Sequence, residues 1–226
     1  MTRFNMFNQI HKALRALLYD TSLILQQTWF GDADEAEISL DKVKMVVDIF
    51  DKHAQHEDNY VLPAIQQYEP SLVDTFELEH IRDHEMSERL RGLLTVFSMA
   101  QKSQVKLETG QAIILAFQEF MIFNLQHMAK EEAVLNKVLW RYYSDEELLA
   151  INQQIVATIP VEEMAISSAW MMRGLSNTEI SGWLKAVEKN APEIVFNNLF
   201  SIAEKELPHD RFRKVLENLT EGTMVA

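Results

Sequence analysis

The chain has 226 residues, 47% hydrophobic and 24% charged, with a formal net charge of −13 and no cysteine. That length and balance suit one large folded domain, or a core domain with an extension. The missing cysteines exclude disulfides, thiolate zinc, iron–sulfur clusters and thiol catalysis, and the acidity argues against nucleic-acid phosphates and anionic lipid as partners.

Six glycines and five prolines are few for this length, which favours long helices and an all-α fold. The N-terminal run MTRFNMFNQIHKAL lacks a signal-peptide pattern, and no stretch of about 18 uncharged apolar residues occurs. A cytoplasmic protein with no membrane span is expected.

The first predicted helix runs from about Asn5 to Trp29, with Phe4, Phe7, His11, Leu14 and Leu18 at helical spacing. After a loop at FGDADEAE, the second runs from about Ser39 to Tyr68, with Phe50, His53, Glu57 and Tyr60 on one face. Glu69-Pro70-Ser71 breaks it. The third, from about Leu72 to Gln101, carries Phe76, His80, His84, Ser87 and Leu94. A polar joint over 102–110 precedes the fourth, from about Gln111 to Tyr142, with Phe120, Asn124, His127 and Glu131 along its stripe. Comparable helices joined by modest loops describe an antiparallel four-helix bundle over residues 1–143.

Residues 144–226 read as an α-helical extension, packed on the bundle. Ser144–Glu147 and Ser176–Glu179 have the capping-box pattern, and Pro160, Pro192 and Pro208 suit first turns. Short helices are expected near 145–157, 161–173, 177–190, 193–205 and 209–220. Trp170, Met171, Met172 and Trp183 pack against the bundle, or alternatively form a partner surface.

Residues four apart on a helix project together. His53 with Glu57, His80 with His84, and His127 with Glu131 therefore each form an inward pair, and His11 joins them from the first helix. Burying five imidazoles and two carboxylates without a cation costs several kcal/mol. Imidazoles with carboxylates, and no sulfur, suit iron, manganese or zinc. Seven donors exceed the needs of one ion, so two ions with bridging carboxylates are expected. A bridging oxide or hydroxide then leaves a position open for a small ligand. His56, Asp58 and Glu132 read as rim or solvated residues, His209 as a surface cap residue, and Tyr60 as core.

Taken together, His11, H-x-x-x-E at 53–57, H-x-x-x-H at 80–84 and H-x-x-x-E at 127–131 resemble the hemerythrin family, in particular bacterial hemerythrin-like HHE cation-binding domains. The run HAQHEDNYVLP is similar to that family's second-helix signature, including the proline that ends it. The resemblance covers about residues 5–142. It implies a non-haem di-iron centre: His80, His84 and His127 on one iron, His11 and His53 on the other, Glu57 and Glu131 bridging. Oxygen-carrying members place an Asp five residues after the fourth-helix His; here Glu131 stands at plus four and Glu132 at plus five. Glu131, opposite Glu57 when HMAKEE is laid on HAQHED, is preferred as the bridge.

The resemblance implies that dioxygen, nitric oxide or a similar small molecule is bound or sensed, or that iron is handled. No acid beyond the bridges offers itself for proton delivery, so binding is favoured over catalysis. A metal-responsive regulatory protein using its C-terminal helices is the alternative, and a homodimer stays open. A ferritin-like oxidase is weaker, because Glu77-x-x-His80 has no second copy, and the zinc-protease motif is absent.

Overall fold

The computed structural model describes residues 3–220, and among them there are helices and no strand. The long helices are α1 (Asn8–Gln27), α2 (Ala33–His56), α4 (Pro70–Met99) and α5 (Ser103–Tyr142). Between α2 and α4 a π-helical turn, Glu57–Val61, leads into the short α3 (Leu62–Gln66). Then follow α6 (Asp145–Thr158), α7 (Val161–Gly174), α8 (Asn177–Asn190), α9 (Glu193–Glu206) and α10 (His209–Thr220). The all-α fold with a bundle of long helices and short C-terminal helices is as expected. Among the described residues no helix is long and apolar enough to cross a membrane.

Two boundaries differ from the expected ones, each for a local reason. Asp32 caps α2 by accepting the Asp34 and Glu35 amides, so the helix starts before Ser39. The polar stretch 103–110 is helical: a Cβ on Gly110 would sit 2.2 Å from the Phe30 ring, so the glycine is there to admit that ring and does not end the helix. The second helical stretch runs through Pro63 towards its expected end near Tyr68. Pro63 lacks the N–H that would bond Asn59, and the backbone widens into the π turn, with Leu62 N–H reaching Glu57 O, before continuing to Gln66.

The chain divides into two compact units. The first holds the stretch up to Phe7 and Leu17–Thr158. One end of its core joins Phe7, Leu62, Ile65, Phe76, Leu135 and Leu148. Arg3 ties this end by donating to Asp145, at 2.6 Å, and to the Trp140 and Tyr143 carbonyls.

The second unit holds Asn8–Ala16 and the chain from Ile159 onward. Its own core comprises Met172, Leu175, Ile180, Leu184, Leu199 and neighbours, with Met171 and Trp183 packed against it. Ser176 and Glu179 form the expected capping box of α8. Glu179 also accepts from Asn8 at 2.8 Å and Lys12 at 2.5 Å. A Cβ on Gly174 would meet the Lys12 carbonyl oxygen at 2.4 Å, so glycine permits this close approach of α7 to α1.

Burial opposes ionisation of Glu179, but hydrogen bonds from Asn8, Lys12 and Ser176 outweigh it and bring the carboxyl down to about 2. A depressed acid stabilises above its ordinary value of 4.5 and loses that contribution as pH falls towards 2. Glu179→Gln is therefore expected to cost the second unit roughly 1–2 kcal/mol at pH 7, the deficit shrinking below pH 4.5. Hydrogen exchange across α8 at several pH values measures it.

Candidate metal centre

The long helices pack through seams whose buried residues recur three or four apart. On α2 the seam runs Ala36, Ser39, Val43, Val46 and Phe50, then His53 and Glu57. On α4 it runs Val73, Phe76, His80, Asp83, Ser87 and Leu90. On α5 it runs Phe117, Phe120, Asn124, His127, Glu131 and Leu135. The same spacing that buries aliphatic side chains thus carries imidazoles and carboxylates inside.

Glu57 and Glu131 are 3% and 0% exposed. Around them His80 Nε2 lies 3.4 Å from Glu57 Oε2, and His127 Nε2 lies 3.1 Å from Glu131 Oε1. His53 Nε2 is 3.3 Å from Glu57 Oε1. The two Nε2 atoms of His80 and His127 are 3.1 Å apart. Glu57, His80, His127 and Glu131 each offer an atom within 4.8 Å of the others, and so do His53, Glu57 and Glu131. The two groups share both carboxylates.

The outer ring nitrogens are held as well. His80 Nδ1 donates to Asp58 Oδ1 at 2.6 Å, and His127 Nδ1 to Glu79 Oε2 at 2.8 Å. Lys130 in turn donates to Glu79. A carboxylate on Nδ1 fixes the tautomer that leaves Nε2 for a metal. Burial disfavours charge on His80, yet its hydrogen bonds to Asp58, Glu131 and Glu57 push it up to about 12. His127 is likewise raised against its burial by Glu131 and Glu79. Burial opposes ionisation of Glu79, and its bonds to Lys130 and His127 hold it below the usual carboxylate value.

The donor set fits a metal ion. Two sealed carboxylates need positive charge nearby, and the raised imidazoles mark where that charge belongs. A cation bound by Nε2 and carboxylate oxygen would replace those protons. Phe76 and Phe123 lie over the His127 ring, at 5.8 and 6.0 Å, and give the donors an apolar wall.

The expected site residues are placed as follows. His53, Glu57, His80, His127 and Glu131 come together, and His11 is fully buried on α1. The fold does not bring His84 to this cluster. Its side chain is 64% exposed and faces Asp51 at 3.5 Å. Asp83, its neighbour, occupies the seam at 3% exposure, with Asn124 Nδ2 donating to it at 2.5 Å. Glu132 and His56 are half-buried and His209 is exposed.

Sequence reasoning missed Asp58, Glu79 and Asp83. Asp83 was legible in principle, because it continues the spacing Val73, Phe76, His80, Ser87, Leu90. Asp58 and Glu79 carry no such signal, since their partners are 22 and 48 residues away.

The family description "Hemerythrin HHE cation binding domain" matches residues 2–139. The chain belongs to the hemerythrin HHE cation-binding family. Metal binding is thus a property of this HHE domain, and its buried His and Glu side chains form two groups whose ligand atoms lie close enough to hold an ion. The chain is also similar to a Brutus-like zinc finger protein of Arabidopsis thaliana, 24% identical over 194 residues, covering 86% of this chain and 15% of that protein. It is 25% identical over 196 residues to F-box/LRR-repeat protein 5 of Salmo salar, covering 85% of this chain and 25% of that one. The chain spans a quarter or less of these relatives. The matches are longer than the stretch 2–139, so they take in part of the C-terminal helices.

Glu79→Gln is expected to weaken metal retention about 10–100-fold, because His127 loses its orienting carboxylate. His84→Ala is expected to leave retention unchanged. Chelator competition on the intact chain measures both.

Proposed function

We propose that this HHE domain holds two iron ions joined by a bridging oxide or hydroxide. It uses them to bind or sense a small ligand such as dioxygen or nitric oxide, or to handle iron. The observation that carries this reading is the sharing of Glu57 and Glu131 by two groups of donors. One oxygen for each of two ions is the economical use of a shared carboxylate. His80 and His127 would serve one ion, His53 and His11 the other. His11 enters through the family pattern and its complete burial. His84 is left out because of its exposure. Residues 1–143 are taken as the ion-holding module and 144–226 as its extension.

Bound there, iron supplies redox capacity and a position open to a small ligand. The chain's own groups supply the rest. Asp58 and Glu79 keep His80 and His127 in one tautomer, and buried Phe76, Phe117 and Phe120 keep bulk water away.

A metal-responsive regulatory role is the second reading. It is favoured by one observation: Asn8 and Lys12, which flank His11 in sequence, are both held by Glu179 of α8. A ligand role for His11 would tie the state of the ions to that contact. Limited proteolysis of α7–α10, with and without ferrous iron, is expected to differ in the wild type and not in His11→Ala.

The main reading is tested by metal analysis with optical spectra under air, under argon and with nitric oxide. The expected outcome is about two iron per chain, with visible bands in air that change on adding nitric oxide. Iron well below two per chain, or firm preference for zinc, would sink it.

A further inference from the structure

The C-terminal helices are spaced with a regularity that the metal centre does not use. Helices α6 to α10 begin at residues 145, 161, 177, 193 and 209, one every 16 residues. α7, α8 and α9 have 14 residues each, so two residues link each helix to the next. A step of 32 residues lays α7–α8 on α9–α10. Pro160 falls on Pro192, both with φ of −57°, and buried Leu175 falls on buried Leu207. Ile180, Trp183 and Val187 fall on Phe212, Val215 and Leu219, and all six pack in one core.

Contacts between the two copies keep nearly the same step. Arg173 pairs with Glu206 at 2.5 Å, Arg211 donates to Asn177 Oδ1 at 2.9 Å, and Lys185 donates to the Asn218 carbonyl at 2.6 Å. These partners stand 33 or 34 residues apart. α9 therefore lies beside α7, and α10 beside α8, in register and pointing the same way. That is the geometry of a helical-repeat array, a class that binds partners on the surface of its stacked helices.

The seam between α7 and α9 is apolar and open. Residues three or four apart share a helix side. Arg173 thus marks the side of α7 that carries Ala169, Ile166 and Glu162, and Glu206 the side of α9 that carries Ile202, Leu199 and Val195. Ile166 and Val195 are 42% and 44% exposed, above buried Leu199. The Arg173–Glu206 pair closes one end of the seam. At the other end stand Glu162, Glu163 and Glu193, and no Lys or Arg occurs in 159–172 or 191–204. From Glu162 to Arg173 the seam is about 17 Å long, some three helical turns.

We propose that the α7–α9 seam is a docking groove for an amphipathic helix of a partner protein. Its aliphatic residues, at i, i+3, i+4 and i+7, cover Ile166, Val195 and Leu199, and its Lys or Arg residues face Glu162 and Glu193. Charge sets this choice of occupant. A second copy of the seam would place acid against acid, whereas a basic helix end meets complementary charge. The proposal goes beyond the iron reading and does not rest on it.

The test titrates the intact chain, at physiological salt, into a fluorescein-labelled Leu/Lys amphipathic helix of about 14 residues and into its Leu/Glu counterpart. The Leu/Lys helix is expected to bind at least about tenfold more tightly than the Leu/Glu helix. Ile166→Gln with Val195→Gln, which keeps the charge, should weaken that binding about tenfold or more, and so should Glu162→Gln with Glu193→Gln. Ile81→Gln with Ile122→Gln, at exposed positions of α4 and α5, should leave it unchanged. Equal binding of the two peptides, binding that ignores the seam variants, or no binding overturns the proposal. A wild-type dimer that the seam variants dissolve also overturns it, because a second copy then covers the seam. Should a variant fail to fold, wild-type amide shifts on adding the Leu/Lys helix decide: shifts gathered on α7 and α9 support the proposal, and shifts elsewhere end it. Iron content is measured on the same samples, so the iron reading stands or falls separately.

Discussion

Two carboxylates, Glu57 and Glu131, sit in the interior of the bundle at 3% and 0% exposure, and the surrounding polar groups answer to that charge. An uncompensated buried carboxylate costs several kcal/mol, more than most single interactions contribute. The compensation runs as an alternation of charge from surface to surface. Asp58 holds His80, His80 and His127 hold the two glutamates, Glu79 holds His127, and Lys130 holds Glu79. Each member is satisfied by a neighbour of opposite sign. Removing the positive side, whether proton or metal, would strand the acids.

The site and the core are built by one pattern. Leu90 and Phe76 of α4 reach the interior by the same seam spacing as His80 and Asp83, and Phe120 of α5 by the same spacing as His127. The irregular feature is the π turn at Glu57–Val61. Pro63 removes the N–H that an α-helix would use there, and the widened backbone begins at Glu57. Irregular turns of this kind recur at functional positions because they re-aim side chains without ending the helix.

The second unit obeys different rules. Its core is a small cluster of Met, Leu, Ile and Val, and Met172 lies at its centre rather than on a surface. The matches to the larger Arabidopsis thaliana and Salmo salar proteins are longer than residues 2–139, so they take in part of this region. The capping boxes at Ser144 and Ser176 both form, with Glu147 and Glu179 accepting the cap-residue amides at 2.7 and 2.8 Å.

Local chemistry made much of this legible in the chain. Scarce glycine and proline, helical periodicity, the caps, and His or Glu at plus four on separate helices pointed to an all-α bundle with buried metal donors. Those signals act within one or two turns, so they can be read without knowing the partner helix. Tertiary structure decided the rest. On an isolated helix, His84 lies about 40° from His80 and Asp83 about 60° on the other side, which favours His84. Packing against α2 and α5 set the seam on the other side, sealed Asp83 and left His84 at the surface. Which distant carboxylate meets a ring nitrogen depends on contacts between residues far apart in the chain, and local spacing does not encode it.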